Sequence, residues 1–191
     1  MHPEHPADPL GRALAEYGWT ISSTDHPAQV FDPEARIWNS PDTQLMLSAH
    51  GERDGRHMIT LYAPRAPQET EDPLWQVGGG PVPVATALAM ARAALTAPAE
   101  QDHAAALTAT GWTLAPEHVL SVSIAGLESW IGPAVDDEPT GFWAAFRFPM
   151  PTDELSTWTV KGAHGGTECS LIATAATPGE VIAAAAHHAA H

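Results

Sequence analysis

The chain has 191 residues, 44% of them hydrophobic, which is enough for a packed core, and one cysteine, Cys169, so no intrachain disulfide can form. Eight basic residues stand against 23 acidic ones, a formal net charge of −15. Because nucleic-acid and anionic-membrane binding rest on cations that neutralise phosphates, that balance argues against such partners.

No apolar run approaches the length of a bilayer span. The opening "MHPEHPADP" has no basic segment leading into an apolar one, so it does not read as a secretory signal. With its lone cysteine, the chain reads as cytoplasmic.

In chain order, the first expected element is a short helix. Asp8 can cap it, Pro9 suits its first turn and Gly18 can end it. Leu10, Leu14 and Tyr17 share one face at helical spacing. Short strands follow near 19–22, 28–31, 36–39, 43–49, 57–63 and 73–77. "GGGPVPVA", 78–85, then reads as a strand-to-helix connector, since neither GxGxxG nor Gly-Lys-Ser/Thr is present to make it a phosphate loop. Val84, Leu88, Ala91 and Leu95 form the stripe of a longer helix. The stretch "TAPAEQD", 96–102, breaks the periodicity and marks a joint.

The second half repeats this order. Asp102 is the expected cap, Leu107 the apolar contact and Gly111 the stop of a short helix. Strands are expected near 112–115, 119–124, 128–132, 141–148, 156–162 and 168–174, then an Ala-rich helix from Val181 to Ala190, with Pro178 at its start as Pro83 is at the earlier one. "LAEYGWTI" (14–21) aligns with "LTATGWTL" (107–114) at a spacing of 93, and Trp38 and Pro41 answer Trp130 and Pro133 at 92. Agreement in order and at rare Trp positions reads as an internal duplication. The expected fold is α+β: two similar modules, 8–97 and 102–190, each a short helix, an antiparallel β-meander and a closing helix, related by a pseudo-twofold. The halves would bury apolar surface against each other as a homodimer does, and a homodimer of whole chains is a further arrangement this reading allows.

The paired "GWT" starts, Ser40–Pro41–Asp42 after a strand, and the strand–Pro–helix endings resemble an uncharacterised bacterial family named for its Ser-Pro-Asp-Tyr motif, whose members commonly carry two copies of the domain. Thr43 stands where that motif has Tyr, and the second copy keeps only Pro133. The resemblance implies a duplicated domain and leaves the function open, since no activity is known for the family.

Candidate sites are few. In "RIWNSPD" (36–42), Trp38 could anchor a partner beside the turn of Ser40, Pro41 and Asp42, with Trp130 and Pro133 as its counterpart; the plainer reading is duplicated packing. Trp143 and Trp158 could grip a peptide or stack bases if they lie on an open sheet face, or be core if they lie under the helices, and Trp75 poses the same question.

Four further stretches bear on chemistry. "KGAHGGTECSL" (161–171) could bring His164 to Cys169 across a hairpin as a thiol–imidazole pair, but no third orienting group is identifiable. "HGERDGRH" (50–57) could set His50, His57 and Asp54 around a metal, although a solvated turn accounts for it more simply. "DDEPT" (136–140) lacks the alternation of a calcium loop, and His187, His188 and His191 would point different ways on a helix. No catalytic residue, metal site or cofactor is assigned.

The leading expectation is a non-enzymatic interaction module that binds a protein partner through a Trp-bearing sheet surface. The alternatives are single-stranded nucleic-acid binding, to which the element order is similar in the Whirly and PUR binders, an acidic DNA mimic, and a Cys/His-dependent hydrolase.

Overall fold

The computed structural model describes residues 8–22, 34–53, 55–64, 73–98, 102–115, 127–133, 143–150, 157–164 and 167–185, without the side chains of residues 52, 53 and 164. The strands expected at 28–31 and 119–124, Asp54, the run 136–140, and His187, His188 and His191 lie outside the described residues.

Helix α1 (Pro9–Glu16) starts as its local chemistry dictates: the Asp8 carboxylate accepts the Leu10 N–H at 3.1 Å, with Pro9 in the first turn. Leu10 and Leu14 are buried. Tyr17 is not, because the helix ends at Glu16 and Tyr17 is its C-cap; its ring lies 4.9 Å beneath the Arg92 guanidinium. Gly18, at φ 79°, reverses the chain. Helix α3 (His103–Ala109) has the same ends: Asp102 accepts the Ala105 N–H at 3.0 Å, Leu107 is buried, and Gly111 takes φ 86°.

The longer helix α2 (Val84–Thr96) buries Thr86, Ala87, Met90 and Ala91, whereas the expected stripe residues Val84, Leu88 and Leu95 are only partly covered. The face has turned because α2 packs against α4 (Gly179–Ala184) as well as against the sheet, and small side chains let the two helices approach. Helix α4 reaches α3 in turn: a Cβ added to Gly179 would stand 2.8 Å from Ala106 Cβ.

The ten strands are β1 (Thr20–Ile21), β2 (Arg36–Asn39), β3 (Met46–Arg53), β4 (Arg56–Ala63), β5 (Trp75–Pro83), β6 (Thr113–Leu114), β7 (Glu128–Ile131), β8 (Trp143–Phe148), β9 (Thr157–His164) and β10 (Thr167–Thr174). They form one antiparallel sheet in the order β1-β2-β3-β4-β5-β10-β9-β8-β7-β6. The protein is therefore α+β, with the later five strands continuing the earlier five through the β5–β10 pairing.

Register decides which residues share a face, since side chains alternate along each strand. One row runs Trp38, Leu47, Leu61, Val77, Ala173, Trp158, each opposite the next. These residues join Leu10, Leu14, Met90, Leu107 and Val181 in a single core that spans both halves of the sheet. The helices thus cover this face. The neighbouring row runs Ile37, Ser48, Thr60, Gly78, Ile172, Thr159, Phe146, Ser129 on the face away from the helices.

The stretch 78–83, expected as a connector, is strand. Gly79 and Gly80 adopt φ 134° and 150° and lie opposite Leu171 and Ser170. A Cβ on Gly79 would collide with the Ser170 carbonyl oxygen, and one on Gly80 would sit 2.7 Å from the His57 carbonyl oxygen. Glycine is what lets β5 lie between β4 and β10. The register slips between His57 and Ile59, where the β5 side steps from Val82 to Gly79, and this irregularity admits Pro81 into a central strand.

Candidate functional site

The Ser40–Pro41–Asp42 turn is built from its own side chains. Ser40 Oγ donates to Asp42 Oδ1 at 2.5 Å and accepts the Leu45 N–H at 2.9 Å. Asp42 Oδ1 also accepts the Gln44 N–H at 3.1 Å. The Ser40 hydroxyl, then the Gln44 amide, holds the Asp42 carboxyl below the ordinary carboxylate range. Thr43 takes φ 61°, a left-handed conformation strained for a β-branched residue. Ser40 is buried, while Pro41 and Asp42 are exposed.

Pro41 has a structural neighbour as well: a Cβ on Gly18 would stand 3.1 Å from Pro41 Cγ. In the other half, a Cβ on Gly111 would stand 3.5 Å from Pro133 Cβ. In both halves the proline after the Trp-bearing strand packs against the glycine that ends a short helix.

The tryptophans read as contact residues need correcting. Trp38, Trp130, Trp143 and Trp158 are 4%, 6%, 1% and 1% exposed, and Trp19, Trp75 and Trp112 are buried too. The ring of Trp38 lies against Gly11 of α1. That of Trp158 lies 5.2 Å from His103, whose Nε2 is 2.8 Å from the Thr177 carbonyl oxygen. Each indole removes on the order of 200 Å² from water, and this volume is what fills the space between helices and sheet. No indole face remains for a partner.

The expected thiol–imidazole pair is not set face to face. Residue 164 pairs with Thr167, whereas Cys169 pairs with Gly162, so the two are not opposite each other. Burial pushes the Cys169 thiol up to about 11, against a smaller opposing effect of the Arg56 charge. Such a thiol is protonated and shielded at neutral pH. His50 and His57 do not meet across their hairpin either: His50 is opposite Met58, and His57 is opposite residue 52. His50 is exposed, while His57 is buried on the helix side. Among the described residues no three His, Cys, Asp or Glu side chains gather as a metal set.

What remains as a candidate surface is the face of the sheet away from the described helices, which no sequence motif marks. At its centre Ile172 is 61% exposed, between Gly78 and Thr159. Gln76, Ser170 and Lys161 are exposed, and Ser48, Met58, Thr60 and Tyr62 half-buried. Burial raises the Tyr62 phenol above its ordinary value. Phe146 and Phe148 stand 6.5 Å apart at one side. Ile37, Ser129 and Ala144, on the same face, are buried, so the opening is greatest over β5, β10 and β9. Hydroxyls and apolar groups dominate it, with Lys161 and Glu168 as its exposed charges on β9 and β10.

The acidity of the chain is largely elsewhere. The described stretches hold nine acidic and seven basic positions, against 23 and eight in the whole chain. Nearly all of the net charge therefore belongs to segments outside them. Among the described residues no helix is long and apolar enough to cross a membrane. No family model matches the chain, and no curated protein and no solved structure matches it.

Proposed function

We propose that the chain is a non-enzymatic interaction protein whose sheet face away from the described helices receives a protein partner. In this reading modules 8–97 and 102–190 are a duplicated pair related by a pseudo-twofold, as the resemblance to the Ser-Pro-Asp-Tyr family implies, and the protein works in the cytoplasm. The observation that carries it is Ile172, an apolar side chain left 61% exposed in a central strand among hydroxyl-bearing neighbours. A surface of this mixture, poor in cations, suits a polypeptide better than a phosphate backbone. The buried, protonated thiol of Cys169 and the separation of His50 from His57 support a non-catalytic role.

The test compares the full chain with its Ile172→Glu variant in pulldowns from the native host. Ile172 points away from the core, so the variant should melt as the parent does. The reading requires a protein held by the parent and lost by the variant, with the purified pair reproducing the difference. Identical capture by both chains would overturn it. Salt-sensitive binding of a labelled oligonucleotide by the parent, reduced in the variant, would instead establish the single-strand alternative.

A further inference from the structure

We draw no further inference here: the strongest candidate, the Cys169 thiol buried on β10 within reach of the Arg56 charge, carries nothing because it is a lone cysteine shut away by burial, and among the described residues no set of metal-ligating side chains forms.

Discussion

The ring of Trp143 occupies the space that a side chain on Gly162 would need. The two residues are directly opposite on β8 and β9, and a Cβ on Gly162 would meet Trp143 Cδ2, Cε2 and Cε3 all within contact distance. Replacing Gly162 by Ala should therefore destabilise the fold by at least ~2 kcal/mol, because the indole is 1% exposed and has nowhere to move. Urea unfolding measures this directly. A loss below ~0.5 kcal/mol would mean that the Trp143 ring is not seated over that glycine.

The two glycine–proline contacts give a paired prediction. Gly18→Ala and Gly111→Ala both force alanine into a left-handed conformation, at ~1 kcal/mol each. At Gly18 the new methyl group also presses on Pro41, at 3.1 Å, whereas at Gly111 the distance to Pro133 is an ordinary 3.5 Å. Thermal melts should rank Gly18→Ala as the more damaging change. The double variant Gly18→Ala/Pro41→Ala should recover the excess and no more, since the backbone strain persists.

Asp42 makes the turn pH-sensitive. Its folded pKa lies below its unfolded one, chiefly through the Ser40 hydroxyl and then the Gln44 amide. Its stabilising contribution is therefore fully present above the unfolded value of about 4 and is lost as pH falls through the lower folded value. Asp42→Asn should be less stable than the parent at neutral pH, by at most ~1 kcal/mol because the carboxylate is solvated. The gap should close in strong acid. Urea midpoints for both chains at neutral and acidic pH would show it; a gap independent of pH would remove the carboxylate from the explanation.

Cys169 titrates at the other end of the scale. Burial raises its folded pKa to about 11, so its contribution to stability is whole below the unfolded value of about 8.5 and declines as pH rises between the two. An aromatic disulfide reagent should leave the native protein untouched near pH 8 and react once it is unfolded in urea. Prompt labelling of the native chain would contradict the buried placement of the thiol.

The parts of this fold that could be read from the sequence are those whose causes are local. Asp8 with Pro9, and Asp102 with the turn at Gly111, announce helix ends because a carboxylate one methylene from the backbone and a residue free to take positive φ act on their immediate neighbours. Strands β2 and β7 were legible for the same reason, each being a short extended run closed by a proline turn. The segment from Gly78 to Pro83 was not. Glycine and proline are local signs of a break, and what makes this segment a strand is the closeness of Ser170 and the His57 carbonyl, from far away in the chain.

The candidate surface was illegible for a different reason. Tryptophans attract attention as contact residues, but their volume made them core, and nothing in the local spacing around Trp143 or Trp158 says which face of a strand lies under a helix. Ser48, Thr60 and Thr159 form no motif at all. They become a surface only when register sets them in one row with Ile172.

Neither five-stranded half is a finished object. Severing the chain between α2 and α3 would leave β5 and β10 as open borders, exposing the backbone groups through which 77–80 now pair with 170–173, and would strip the α2 surface that α4 covers. The two fragments should therefore remain bound after a nick, and if made separately each should aggregate or seek out the other.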